Sequence, residues 1–427
     1  MRSHARVQTR LVLHLLRWIA LGAASGLLAG AASFVFLEVL DRATEVRLDH
    51  AWLLYLLPAA GLVVGAAYLY LGGRSSGGNS MLIEEIHEPT AWVPRRLAPL
   101  VLVGTVISHL FGASVGREGT AIQMSGSLTD LFSRVVRLGP ADRRMMLIAS
   151  IAGGFGSVFG VPLAGAVFAL EVQTVGRVRY DALVPALTAS IVGDLTVRGL
   201  GHVHAVRPQL TIDLTVPLVL EVAAAGLAFG LASVAFIELT HSIKRLASRL
   251  RWSPARPVIG GVATIALAML FGRDYLGLSL PLIDNALAGA SVSLAVPLLK
   301  IVFTALALGC GFPGGEVTPL FVIGATLGAA LAGMFGVPVT VLAAVGFVAV
   351  FAGAANTPLA CTIMGVELFG SGIIVPLAVG CVVAYVFSSH RGIYDTQRVD
   401  SAKGPDAIAG LPRLRDLPHP TQQGAHQ

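Results

Sequence analysis

Residues 116–120 read Gly116-Arg117-Glu118-Gly119-Thr120, and residues 314–319 read Gly314-Gly315-Glu316-Val317-Thr318-Pro319. Each stretch sets one carboxylate among small residues at the start of an apolar, helix-forming run. A carboxylate inside a bilayer is costly, which makes it a functional hypothesis by default. A glycine-flanked helix start leaves backbone N–H groups unpaired at the positive end of a helix dipole, a setting that suits a small anion. Two such starts predict an anion pathway at mid-membrane in which a glutamate side chain can take the anion's place.

The rest of the chain supports a membrane setting. Of 427 residues, 55% are apolar and only 13% are charged, against about 25% charged in soluble domains; mean hydropathy is +0.77. Apolar stretches lie near 53–72, 97–112, 216–238, 256–271, 291–309 and 338–355, several of them long enough for the ~20 residues of a spanning helix. Many of the 49 glycines and 22 prolines fall inside apolar segments, as in broken helices whose freed backbone groups line a cavity. Helices are predicted near 12–40, 52–72, 97–112, 118–134, 142–158, 162–175, 181–198, 215–244, 256–272, 290–308, 316–334, 338–353, 358–368 and 372–388, with the clearest break at Gly72–Ser80. The expectation is one all-α integral membrane domain over 1–394 and a polar tail over 395–427, with Pro405, Pro412, Pro418 and Pro420, that is poorly ordered.

The net charge of +6 comes from arginines in short loops and tails and is not a nucleic-acid signal. Arg2, Arg6, Arg10 and Arg17 flank the first apolar stretch, so the positive-inside rule puts the N-terminus in the cytoplasm. Cys310, Cys361 and Cys381 all stand in apolar context and read as small core residues rather than a disulfide or metal set. No cofactor is expected.

An internal repeat is the second strong feature. Glu118 and Glu316 both lie in Gly-x-Glu-x-Thr, with Gly126 and Gly324 eight residues on. Pro162-Leu163-Ala164 precedes Glu171 by nine residues, and Pro358-Leu359-Ala360 precedes Glu367 by the same nine. The halves are expected near 12–199 and 214–394. Corresponding broken segments in two halves point to a midplane site between them; the spacing leaves open whether the repeats are parallel or inverted.

These motifs, with Ile393-Tyr394, resemble the CLC anion channels and antiporters over about residues 15–400, and more narrowly the bacterial fluoride/proton antiporter branch (CLC-F). Typical chloride-type members have Gly-Ser-Gly-Ile-Pro where this chain has Gly78-Asn79-Ser80-Met81-Leu82, a proline at Thr120, and a phenylalanine at Val317. All three departures go in the fluoride-branch direction. The resemblance implies inverted halves around a midplane anion site and a homodimer with one pore per subunit in the bacterial inner membrane. The implied function is export of fluoride in exchange for protons; the alternative is a chloride/proton antiporter or a passive anion channel of the same fold. Fluoride is small and strongly hydrated, so a site for it needs dense hydrogen-bond donors.

By the same resemblance Glu118 is the gating glutamate, which competes with the anion and carries a proton. A structural pairing with Arg117 reads as geometrically poor, since adjacent residues on a helix project about 100° apart. Asn79 matches the central pore serine and offers an amide donor, although Asn also favours helix caps. Tyr394 matches the central pore tyrosine; its bland reading is an interfacial anchor. Gly116, Gly119, Val317 and Thr318 supply candidate backbone donors, and the Thr318 hydroxyl one more. Glu316 reads as a path carboxylate or as a satisfied buried group. Thr120 reads as a path hydroxyl or as one bonded back to its own helix. Val172 stands where chloride-type antiporters carry an internal proton-transfer glutamate, so protons are expected to pass by Glu118, helped by Glu316. Glu171 and Glu367 read as structural.

Other patterns carry less. Gly112-Ala113-Ser114-Val115-Gly116 matches the Gly-x-Ser-x-Gly hydrolase elbow, but that motif needs a strand before it. Glu84, Glu85, His87 and Glu88 hold one Glu-x-x-His, where a di-iron site needs two; they read as a solvent-facing helix end. Lys300, in an apolar stretch, is compatible with an acid partner, snorkelling or anion attraction.

Overall fold

A computed structural model describes residues 2–404 and 410–417. Among them, helices α1 (Arg2–Asp49), α2 (Leu57–Ala67), α3 (Gly78–His87), α4 (Leu97–Leu110), α5 (Glu118–Val135), α6 (Pro140–Phe159), α7 (Pro162–Glu171) and α8 (Leu183–Gly199) build the first half. Helices α9 (Val216–Ser248), α10 (Ala255–Phe271), α11 (Leu280–Leu287), α12 (Ala295–Gly309), α13 (Val317–Phe335), α14 (Val339–Ala355), α15 (Pro358–Phe369) and α16 (Ile374–Phe387) build the second, in one-to-one order with the first. Four helical stretches are long and apolar enough to cross a membrane, at Arg6–Asp49, Ala51–His87, Val216–Ser248 and Val317–Phe335. Seven further apolar helices have 10–17 residues, so more of the sequence stretches than expected are partial crossings. The break expected over Gly72–Ser80 is shifted: π and 3-10 turns cover Tyr68–Gly77, and Gly78, Asn79 and Ser80 already belong to α3.

Matching elements start and stop by matching chemistry. α6 ends on Gly160 and α14 on Asn356, both left-handed (φ 69° and 61°), and these are the residue types that tolerate that conformation as a helix terminator. Two residues later Pro162 and Pro358 open α7 and α15, where a missing N–H costs nothing. Glu171 then accepts from the Leu359 and Ala360 N–H groups at 3.1 and 2.8 Å. Glu367 does the same for Leu163 and Ala164 at 2.9 and 2.8 Å. Each half thus caps a helix of the other, the reciprocity expected of a two-fold relation.

The halves are inverted. α8 runs from the α7–α8 linker to the loop before α9. That far loop touches the α15–α16 linker, with Leu210 N–H on the Phe369 carbonyl at 2.8 Å and Gln209 Nε2 on the Leu368 carbonyl at 3.3 Å. Corresponding linkers therefore sit at opposite ends of α8.

Close backbone approach and a shared aromatic core hold the helices together. A Cβ on Gly22, Gly26 or Gly30 of α1 would lie 2.6–2.8 Å from the Pro185, Ala189 and Gly193 carbonyls of α8. This is the small-residue spacing that membrane helices use in the absence of a hydrophobic drive between them. Phe155 and Phe168 from one half stack near Phe351 from the other, at 6.1 and 5.7 Å between centroids, and Phe159 meets Phe321 at 5.2 Å.

The segment after Tyr394 departs from the expected disordered tail. Arg398–Val399 pair in parallel with Thr174–Val175, Val399 and Leu414 are buried, and Arg413 and Arg398 bind Glu84 and Glu88. Among its described residues, Arg398, Lys403 and Arg413 face carboxylates and carbonyls of the domain. Pro405, Pro418 and Pro420 lie outside the described residues.

Candidate anion site between two helix starts

The starts of α5 and α13 are tied to each other. Gly116 N–H donates to the Gly315 carbonyl at 2.6 Å and Gly315 N–H to the Gly116 carbonyl at 2.7 Å. Only glycine allows this approach: a Cβ on Gly116 would lie 2.8 Å from the Gly315 oxygen, and one on Gly315 2.8 Å from the Gly119 nitrogen. The bridge sets two helix N-termini side by side, so their unpaired N–H groups and dipole ends share one space.

Glu118, the first residue of α5 and fully buried, fills that space. Its Oε2 accepts from the Thr318 N–H at 3.1 Å and the Arg117 N–H at 3.1 Å, and its Oε1 accepts from the Thr318 hydroxyl. The carboxylate of one helix start therefore occupies the anion position of the other. Arg117 Nε stands 3.7 Å from Oε1 and makes no hydrogen bond, so the side-chain pairing is as poor as expected. Arg117 precedes α5 and is not on the helix, so the helical projection does not govern it.

Four polar side-chain atoms around this carboxylate are buried without a partner: the Asn79 Oδ1, the Glu316 Oε2, the Tyr394 hydroxyl and the Arg117 Nε. They belong to one locus. A Cβ on Gly119 would lie 2.9 Å from Asn79 Nδ2 and 3.8 Å from Glu316 Oε2, and Asp395, next to Tyr394, accepts from Ser80, next to Asn79, at 2.8 Å. Buried polar groups are normally satisfied, so this cluster is the candidate ligand site. Asn79 sits in the first turn of α3 and makes no capping bond. Val317, buried, opens α13 directly after Glu316.

Gly116 and Thr120 depart from expectation: the Gly116 N–H is taken by the Gly315 carbonyl rather than free for an anion, and Thr120 is turned away from the carboxylates. Its hydroxyl pairs with Thr105 of α4 at 2.7 Å, neither back to its own helix nor toward the carboxylates. Ser114 shares hydrogen bonds with Thr304 at 2.9 Å and Lys300 at 2.9 Å, and a helix rather than a strand precedes it. Lys300, fully buried, also donates to the Tyr275 and Gly277 carbonyls at 3.2 and 3.0 Å and to Ser279 at 2.8 Å.

The expected solvent-facing end of α3 is half wrong. Glu85 is buried and takes Arg74, Arg143 and the Thr90 N–H, because its neighbours Leu82 and Ile86 turn that side inward. The residues that fix the site from behind were not singled out in the sequence. Asp395 Oδ1 accepts from Ser80 Oγ at 2.8 Å and Thr396 Oγ1 donates to the Ser80 carbonyl at 2.9 Å. Their adjacency to Asn79 and Tyr394 was the available signal.

Comparison with known proteins agrees with this architecture. A family profile described as voltage gated chloride channel matches residues 60–389. A Pseudomonas syringae pv. tomato protein named chloride/fluoride channel protein is 46% identical, over 96% of this chain and 92% of its own. The crystal structure of a CLC-type fluoride/proton antiporter superposes with a TM-score of 0.88 at 34% identity, covering 91% of this chain and 99% of that one. A slow cyanobacterial Cl-/H+ antiporter shares the fold, with a TM-score of 0.76 at 20% identity, over 87% of this chain and 94% of its own. With paired glycine-flanked helix starts, inverted halves and a match over most of its length, the chain belongs to the voltage gated chloride channel (CLC) family.

Proposed function

We propose that this chain exports fluoride in exchange for protons across the bacterial inner membrane, as a homodimer with its N-terminus in the cytoplasm. One observation carries the reading: the Glu118 carboxylate is held by the N–H and hydroxyl of Thr318, donors that a small anion would use. Anion and carboxylate compete for the same bonds. Protonation removes the charge that holds Glu118 there, so a fluoride ion can replace it at Thr318. When the ion leaves, the deprotonated side chain returns. Each cycle then moves a proton on Glu118 one way and an anion past it the other way.

Val172 offers no proton relay. Glu316, with a buried and unpartnered Oε2 at the same locus, is the second carboxylate able to carry one. The 46% identical Pseudomonas syringae relative and the 34% identical fluoride/proton antiporter support fluoride as the substrate. The arginines at 6, 10 and 17 support the orientation, and family resemblance supports the dimer.

The name of the Pseudomonas syringae relative contains the word channel, so passive conduction is the competing reading. Efflux from proteoliposomes preloaded with fluoride or chloride, with pH followed at once, separates them. Fluoride efflux that drives protons inward against their gradient, with little chloride efflux, supports the proposal. Equal chloride transport makes the protein a chloride/proton antiporter, and fluoride efflux without proton movement makes it a channel.

A further inference from the structure

We propose that the loop between α8 and α9 is a pH-sensitive clasp on the face opposite the tail. Two histidines, His202 and His204, draw it onto carboxylates of α1 and α8 when they take up protons. The clasp is independent of the ion carried; only its periplasmic placement uses the orientation proposed above.

Helices α1 and α8 run side by side in the same direction, Gly22 against Pro185 and Gly30 against Gly193, so both end on this face. Residues 200–215 leave from there and cross to the second half. Arg207 pairs with Asp284 of α11, and Leu210 N–H binds the Phe369 carbonyl. Val203 and Val206 point outward, 82% and 92% exposed. The His202 and His204 side chains point inward, 11% and 12% exposed. No apolar residue from His202 to Arg207 is buried, so this stretch is held by its polar contacts.

His202 Nδ1 stands 3.3 Å from Glu38 Oε1 on α1, and His204 Nε2 stands 3.3 Å from Asp194 Oδ1 on α8. His204 rests on Gly160, the left-handed end of α6, where a Cβ would lie 2.5 Å from its Cδ2. Arg198 Nε already donates to Asp194 at 2.9 Å, whereas Glu38 has no other partner among the described residues. Asp41 and Glu45 on α1, Arg117 before α5 and Glu367 on α15 complete the charged surroundings. Carboxylates thus outnumber arginines around the two rings. The ring centroids are 5.3 Å apart, so two charged rings repel, but each faces its carboxylate at the shorter distance and attraction wins.

Histidine is the side chain whose ordinary charge change falls between about pH 5 and 8. A histidine that meets a carboxylate only on docking binds its proton more tightly there. Its contribution to docking is complete below the ordinary value of about 6.5 and is lost as pH rises through the docked value. Acid on this face therefore fastens the loop, and with it the link between the two halves.

Amide exchange of residues 202–210 in the full-length protein in detergent, corrected for the intrinsic effect of pH, tests the clasp. Protection in the wild type should be greater at pH 5.5 than at pH 8 by about fivefold or more. The variant carrying both His202→Gln and His204→Gln should show no such rise, while protection in α5 stays at its wild-type level. Glu38→Gln, on a half-exposed side chain that the fold does not need, should reduce the rise on its own. A wild type without the rise, or a rise of wild-type size in either variant, overturns the clasp.

Discussion

At the scale of single residues, the proposed exchange turns on a carboxylate whose hydrogen bonds are those an anion would use. A glutamine at position 118 keeps the shape of the side chain and can still accept from Thr318, but it can neither carry a proton nor repel an anion. Glu118→Gln should therefore abolish proton-coupled exchange, a fall of roughly 100-fold or more in proton flux. Proton uptake recorded during fluoride efflux checks this, and intact pumping in the variant would remove Glu118 from the mechanism. Glu316→Gln should lower fluoride turnover several-fold, since a carboxylate oxygen at the site has no other partner; wild-type turnover would return it to a structural role. Glu118 and Glu316 were legible because glycine-framed carboxylates have few structural uses in an apolar chain. The backbone N–H that Arg117 gives to the Glu118 carboxylate was not, because a bond between neighbouring residues leaves no mark in spacing. Nor was the Thr120 partner, since Thr105 lies on another helix.

At the scale of elements, equal spacing in the two halves becomes an exchange of caps. Glu171 and Glu367 each accept two backbone N–H groups of the opposite half. A glutamine turns an NH₂ toward one of those donors, leaving it unsatisfied. Glu171→Gln and Glu367→Gln should each destabilise the protein by about 1–3 kcal/mol, with the larger loss at Glu171, which is buried while Glu367 is partly exposed. Thermal unfolding in detergent reads both, and a large effect for one with none for the other would break the two-fold account. The duplication could be seen in sequence because its motifs recur with matched residues. The inversion could not, since residue spacing has no direction in space. Helix α11 was also missed: it has eight residues, opens with Leu280-Pro281 and carries Asp284 and Asn285, so no apolar run announces it.

At the scale of the whole molecule, the segment after Tyr394 binds the two sides of the anion path together. It joins β-fashion to the α7–α8 linker, and its arginines Arg398 and Arg413 hold Glu84 and Glu88 at the end of α3. The Arg398 guanidinium, with Arg413, keeps the Glu88 carboxyl below its ordinary value of 4.5. A carboxylate with a depressed pKa contributes its stability above the ordinary value and loses it as pH falls through the lowered one. The attachment should thus hold constant across about pH 5–8 and loosen only in stronger acid, which amide exchange at Arg398 and Val399 would report. The functional part of the strap is the pair of bonds from Asp395 and Thr396 to Ser80, which fix Tyr394 relative to Asn79. Losing a bond of ~1 kcal/mol shifts an equilibrium about fivefold, enough for the inner end of the path to open out of step with Glu118. Asp395→Ala should let fluoride slip without protons, lowering the proton-to-fluoride ratio by about twofold or more. Arg413→Gln, which frees the strap far from the path, should weaken amide protection while leaving the ratio at its wild-type value. Coupling lost equally in both variants would mean that the strap as a whole, rather than Asp395, sets the spacing across the pore.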